Sequence, residues 1–310
     1  MITSVDVDLA TPAMIGGSRT GELDAPAVLR PPSLRGALRF WTRALCGERP
    51  PALVEAELWG SIERGQGVAV LPASRLEKRA ARRLFPHRFA ATTAVSDVGS
   101  NGKIRFHLSD ERQLKTLAAV VWTWIHLGTV GRRGRRGYGS LLWRPVDGDL
   151  LTTAGYAPLI RREVLAGTDE LAGFLREGLA RVQQQLEVPR TDADRMSHQF
   201  FRLDTLDQIF VGRRLDASYD GEVGGMEHLL HGLGLNGRGP QSEEMGTPSP
   251  RLASPMLWRA YPALGGGYIP VLTWSPLHAT QIARGSGMHS YLSNHLGFHE
   301  SLAKRLELAA

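Results

Sequence analysis

Residues 103–144 read KIRFHLSDERQLKTLAAVVWTWIHLGTVGRRGRRGYGSLLWR. The first seven, 103–109, alternate apolar and polar side chains, as a half-buried strand does. From about Asp110 to Leu127, Leu114, Leu117, Ala118, Val121 and Ile125 return at helical spacing and define one apolar face. Glycines then punctuate the chain, and residues 138–144 (YGSLLWR) read as a strand. Strand, helix, glycine-rich loop and strand follow one another within 42 residues.

Working outward, residues 2–9 (ITSVDVDL) alternate again and Gly16-Gly17 ends them. Residues 18–32 are polar, close on Pro31-Pro32 and read as a loop. Ser33 is placed to cap a helix running to about Leu45, with Leu34, Ala37, Leu38, Trp41 and Leu45 on its core face. Residues 67–72 (GVAVLP) read as a strand, 75–83 carry five basic side chains, and 88–95 add strand-like residues. The order is β-α-β-β-α-β, the ferredoxin-like pattern that RNA-recognition folds also use. The second half predicts an amphipathic helix over 169–187, a further helix over 199–211, a Gly/Pro/Ser-rich loop over 220–250, strands over 251–261 and 267–274, and a closing helix over 287–308. The expected class is α+β, with ferredoxin-like (RRM-like) domains in tandem over 1–150 and 151–310, the second degenerate and carrying insertions.

The loop GTVGRRGRRGYGS, residues 128–140, holds glycines at 128, 131, 134, 137 and 139 with Arg132-Arg133 and Arg135-Arg136 between them. Glycine permits sharp turns and close backbone approach. Successive backbone N–H groups of this loop, which includes Gly131, Gly134 and Gly137, can then form an anion-binding concavity. The four guanidinium groups offer bidentate phosphate contacts, and Tyr138 a face for stacking. No Gly-Lys-Ser/Thr follows, so a nucleoside triphosphate site is not expected. A solvated basic loop is the plainer alternative. Four arginines within five residues repel one another, however, and a polyanion relieves that repulsion.

A second basic feature lies on the first helix. Arg35, Arg39 and Arg43 recur every fourth residue and make one stripe beside the apolar face, with no acidic residue inside the helix. Gly36 faces the same side, where a glycine predicts close approach by another chain. Trp41 belongs to the core, and Phe40 lies off that face.

The 310-residue chain suggests two domains, and its apolar content of 42% suits ordinary cores. Its net charge of +6 is uneven. Residues 1–150 hold 22 Lys+Arg against 14 Asp+Glu, and residues 151–310 hold 15 against 17. A polyanion is the natural partner of the basic half. Only four of the 37 basic residues are lysines, which also fits a general arginine bias. The one cysteine, Cys46, excludes a disulfide framework and any CxxC site. The opening MITSVDVDLA lacks the apolar core of a signal peptide, and the apolar run 117–127 is too short for a bilayer, so a cytoplasmic protein is expected.

These segments together resemble a known family. Residues 11–17 (TPAMIGG), 29–41 (LRPPSLRGALRFW), 58–61 (LWGS) and 251–255 (RLASP) resemble the first-numbered subunit family of the type III-B CRISPR Cmr complex. Residues 128–141 resemble the glycine-rich loop of the wider RAMP superfamily. The resemblance implies tandem ferredoxin-like domains and a place near the 3′ end of a guide RNA. Target RNA and other RAMP subunits would be partners, with cleavage left to another subunit and no cofactor. Residues 220–250 have no counterpart in that pattern. The RNA-binding residues expected are Arg35, Arg39, Arg43 and Gly131 to Tyr138.

Two alternatives stand beside it. One is a metal-independent endoribonuclease using His126 or His107 as acid or base. The other is a protein scaffold whose arginines meet acidic surfaces. His228/His231 and His295/His299 have helix-compatible metal spacing but no HExxH glutamate or cysteine, and Asp204 and Asp207 read as a solvated face. No metal and no catalytic residue is assigned.

Overall fold

The computed structural model describes residues 1–16, 27–47, 49–72, 74–82, 93–132, 134–135, 137–159, 167–186, 209–212, 214, 256–274 and 304–305. Its elements in the first half are β1 (Ile2–Leu9), β2 (Ala27–Val28), α1 (Pro31–Ala44), α2 (Pro51–Trp59), β3 (Gly60–Ser61), β4 (Gly65–Gln66), β5 (Ala69–Val70), β6 (Arg75–Leu76), β7 (Arg79–Arg82), β8 (Thr93–Ser96), β9 (Asn101–His107), α3 (Gln113–Leu127) and β10 (Leu141–Arg144). Then follow α4 (Leu150–Thr153), α5 (Thr168–Leu186), β11 (Ile209–Val211), β12 (Met256–Pro262), β13 (Tyr268–Trp274) and β14 (Lys304–Arg305).

The first sheet runs β10-β1-β9-β5 and is antiparallel throughout. With α1 between β1 and β5, and α3 between β9 and β10, its element order is the β-α-β-β-α-β read from the sequence. Alternation decides which face is buried. In β9, Gly102, Ile104 and Phe106 are buried while Asn101, Lys103, Arg105 and His107 are exposed. Val5, Val7 and Leu9 of β1 and Trp143 of β10 join Ile104 and Phe106 in a core completed by Leu34, Leu38 and Trp41 of α1 and by α3. Every residue of α3 from Leu117 to Leu127 is buried. A helix apolar all round must be covered on all sides, and α5 supplies one cover. Trp122 stacks on Tyr156 at 5.6 Å, and a Cβ built on Gly178 of α5 would overlap the Trp122 indole.

The second sheet runs β12-β13-β11-β14, also antiparallel. The helix expected at 169–187 is α5, and the strands expected at 251–261 and 267–274 are β12 and β13 within the described residues. The helix expected over 199–211 is corrected at its end, where Ile209-Phe210-Val211 forms β11. This short run of β-branched and aromatic residues suits a ladder better than a helix turn. Of the closing helix expected at 287–308, only Lys304 and Arg305 are described, and they pair as a strand. Residues 220–250 lie outside the described residues.

Local corrections have simple causes. Helix α1 starts at Pro31, two residues before the expected Ser33 cap. Proline lacks an N–H and presets a helical φ, so Pro31-Pro32 belongs to the first turn and not to the loop. Helix α2 was not expected, because its apolar residues carry no clear stripe. The strand expected over 138–144 begins only at Leu141, since Gly137 and Gly139 take positive φ of 79° and 70°. Among the described residues no helix is long and apolar enough to cross a membrane.

Candidate nucleic-acid interface

The glycine-rich loop folds back on the segment that follows β1. Arg132 donates its backbone N–H to Met14 O at 2.8 Å, and Gly139 donates to Pro12 O at 2.9 Å. Thr11 Oγ1 donates to Gly137 O at 2.6 Å and accepts from Ser140 N at 2.9 Å. The glycines serve this packing. Gly131 has φ 82°, and a Cβ there would lie 2.7 Å from Met14 O; a Cβ on Gly139 would overlap Val130 O. Neither position accepts another residue without moving backbone.

The same bonds take up several amides of the expected anion nest. Those of Gly128, Val130, Arg132, Gly137, Gly139 and Ser140 all donate within the protein, so these six are not open to an anion. Gly134 is half-buried, and a Cβ there would strike Thr129 Oγ1. Tyr138 is fully buried, so it does not present the stacking face expected of it. Arg135 is half-buried, and burial lowers its guanidinium pKa. Arg132 is exposed. Arg133 and Arg136 lie outside the described residues.

Arg132 opens onto a groove of about 420 Å³. Gly16, Gly131 and Arg132 form one wall, and Arg30, Ser33 and Ala37 at the start of α1 form the other. Ile15, Leu29, Leu34, Trp124 and Val130 line the rest. Apolar lining with basic and hydroxyl groups at the rim suits a nucleotide, whose base is flat and apolar and whose phosphate is anionic. Arg30 and Ser33, which line this groove, were not among the residues expected from the sequence. The available signal was a basic residue directly before a proline-started helix, where the macrodipole is positive.

The arginine stripe of α1 lies elsewhere. At 100° per residue, Ser33 and Ala37 occupy one flank of the helix and Arg35, Arg39 and Arg43 the other. Arg35 donates to Trp59 O at 2.8 Å. Arg39 grips both oxygens of Glu55 on α2 at 3.2 and 3.1 Å, and Arg43 reaches Glu55 Oε1 at 2.5 Å. Glu55 raises the Arg39 pKa, mainly through the hydrogen bond. Arg35, Arg39 and Arg43 therefore do not line the groove beside Arg132. The stripe ties α1 to α2, and its neutralising carboxylate comes from a helix the sequence did not reveal. Gly36 is exposed with open space around its Cβ position, so among the described residues no backbone approaches it.

The outer face of the first sheet is also unlike a base-stacking platform. Its central strands carry Ile2, Ser4 and the buried Asp6 and Asp8, and then Asn101, Lys103, Arg105 and His107, with no Phe, Tyr or Trp. Sheet readers of RNA stack bases on aromatics at such positions. Asp6 is instead paired with Lys103 at 3.7 Å and Arg144 at 3.4 Å.

Residues 6–141 match the model of the RAMP superfamily. This part of the chain resembles a RAMP domain. The curated CRISPR system Cmr subunit Cmr1-1 of Pyrococcus furiosus is 30% identical to the chain over 135 residues, a match spanning 36% of this chain and 40% of that protein. The crystal structure of Cmr1 from Pyrococcus furiosus in its apo form superposes with a TM-score of 0.58 at 20% identity, covering 88% of each chain. A chain of the cryo-EM structure of the type III-B Cmr-beta complex bound to cognate target RNA gives a TM-score of 0.57 at 9% identity, covering 88% of this chain and 94% of that one. These likenesses extend the shared fold beyond residues 6–141 into the second sheet.

Two histidines of residues 6–141 are described, His107 and His126. His126 is buried against Trp122, Phe174 and Tyr261, with Nδ1 3.0 Å from the Tyr261 hydroxyl. Burial first, and Arg259 second, hold its pKa well below the ordinary value of 6.5. His107 is exposed at the end of β9. Among the described residues no group of three His, Cys, Asp or Glu could hold a metal, while the histidine pairs at 228/231 and 295/299 and Asp204 and Asp207 lie outside them.

Proposed function

We propose that this protein is a non-catalytic, RNA-binding subunit of a type III-B CRISPR RNA-guided effector complex, acting in the cytoplasm in antiviral defence. It holds guide RNA near its 3′ end, helps capture target RNA, and assembles with other RAMP subunits. In this reading residues 1–150 form one ferredoxin-like domain, and residues 151–310 a second, degenerate one built around β11 to β14. The observation that carries it is the groove between Arg132 of the glycine-rich loop and the Arg30–Ser33 turn of α1, within a RAMP-like domain whose fold is that of Cmr1. The backbone of a single strand follows Arg30 and Arg132, with Arg133 and Arg136 adding phosphate contacts. Binding reads shape and phosphate more than base identity.

Burial of His126 speaks against its service as a general acid or base, since RNA has no path to a residue covered by Trp122, Phe174 and Tyr261. The test is fluorescence anisotropy of the full chain with labelled single-stranded RNA, beside a cleavage assay on repeat RNA. Affinity should fall about tenfold when Arg30 and Arg132 are both replaced by alanine, as expected for the loss of two charge-assisted contacts. Unchanged affinity rejects the groove. Cleavage abolished by His107→Ala favours the nuclease, and salt-resistant binding to protein partners without RNA favours the scaffold.

A further inference from the structure

We propose that the second sheet sets the shape of the glycine-rich loop, with Arg259 as the positioning residue; the functional consequence rests on the RNA-binding reading above. Four consecutive residues of β12 contact the loop or its stems. Trp258 donates its backbone N–H to Arg135 O at 3.1 Å, and Ala260 donates to Ser140 Oγ at 3.1 Å. The Tyr261 hydroxyl donates to His126 O at 3.0 Å. Between them, the Arg259 guanidinium donates to Ile125 O and to Leu141 O. Ile125 lies in the last turn of α3 and Leu141 is the first residue of β10, so one side chain clamps the two stems from which the loop springs.

The choice of arginine is informative. Arg259 is 1% exposed, and burial lowers its pKa to about 10, which leaves it charged at neutral pH. A buried cation carries a large desolvation cost, and an apolar side chain would serve packing alone better. The contacts offset that cost. The carbonyl of Ile125 belongs to the negative end of the α3 dipole, and the guanidinium carbon sits 3.8 Å from the centre of the Tyr261 ring. A planar fork reaches two carbonyls at once, whereas an ammonium is a point donor. Replacing the fork therefore frees one stem of the loop. Arg132 hangs on this loop, so its place in the groove depends on a residue 127 positions away in sequence.

The experiment compares the full chain with Arg259→Lys, following amide hydrogen exchange over residues 128–140, thermal unfolding, and RNA affinity alone and combined with Arg132→Ala. Exchange in the loop should accelerate about tenfold while α1 and the first sheet stay protected, as for a local opening. RNA affinity should fall, and Arg132→Ala should cost less in the Arg259→Lys background than alone, because a misplaced Arg132 has less to lose. Unchanged loop exchange, or losses that simply add, overturns the proposal. If the wild-type chain binds no RNA, the RNA-binding reading fails, and loop exchange still decides whether Arg259 holds the loop. Should Arg259→Lys not fold, Tyr261→Phe keeps the ring and removes the hydroxyl contacts to His126 O and His126 Nδ1. Faster exchange of residues 128–140 then supports the proposal, and unaltered exchange overturns it.

Discussion

Arg132 and Arg39 carry the same charge, and their surroundings give them different work. Arg132 is exposed at the rim of a groove, while Arg39 holds both oxygens of Glu55. Alanine at Arg39 or Arg43 should reduce stability by up to about 1 kcal/mol, since these pairs are partly exposed, and should leave RNA affinity nearly unchanged. Gly36 offers a check on the same flank. Gly36→Ala adds a Cβ into open space, so chemical denaturation should show a gain of about 1 kcal/mol. A loss would mean that a neighbouring chain does approach there. His126 predicts a pH dependence. Its folded pKa lies below 6.5, so the unfolded chain binds more protons in acid, and the contribution of neutral His126 is present above pH 6.5 and lost as the pH falls below it. The steepest contribution is about 1.4 kcal/mol per pH unit. Urea midpoints between pH 7 and 5 should fall, and His126→Gln should flatten that fall.

At the scale of elements, helix α5 closes over α3 through a glycine contact at Gly178, beside the Phe174 ring that meets Trp122 and His126. Gly178→Ala improves helix propensity but drives a methyl into the buried Trp122 ring. Overpacking costs about 1–3 kcal/mol, which exceeds the propensity gain of about 1 kcal/mol. Thermal unfolding should therefore shift downward, and an upward shift would show that the helices can separate freely. The elements also show what could be read from residues alone. Alternation announced β1 and β9, and helical spacing announced α1, α3 and α5, because their apolar residues recur at a regular period, even where α3 and the second half of β1 are buried on both sides. Helix α2 escaped because Val54, Leu58 and Trp59 bury a short stretch without a lasting stripe. The arginine stripe was visible, but its partner Glu55 sits on that unseen helix. The loop's glycines were visible as well. Their task of packing against residues 11–14 depends on strand adjacency, which element order leaves open. Arg259 was silent in sequence for the same reason, since its two carbonyl partners lie 118 and 134 residues away.

At the scale of the whole molecule, the basic half of the chain and the second sheet meet at residues 125–141. The first half supplies the charges, and β12 supplies the hydrogen bonds that hold the loop carrying them. One sheet face is closed to stacking by its composition, and the arginine stripe is engaged by α2. The groove beside Arg132 joins an exposed arginine of the loop to the start of α1, and it is there that we propose a single strand lies. The most direct test is the salt dependence of single-stranded RNA binding by the full chain, measured by anisotropy for wild type and for the double variant Arg30→Ala/Arg132→Ala. About four neutralised phosphates give a slope of log K against log salt near −3, and losing two contacts should bring it up by about 1.4. An unaltered slope in this variant, or a larger change on replacing Arg39 and Arg43, would contradict the assignment of RNA to the groove.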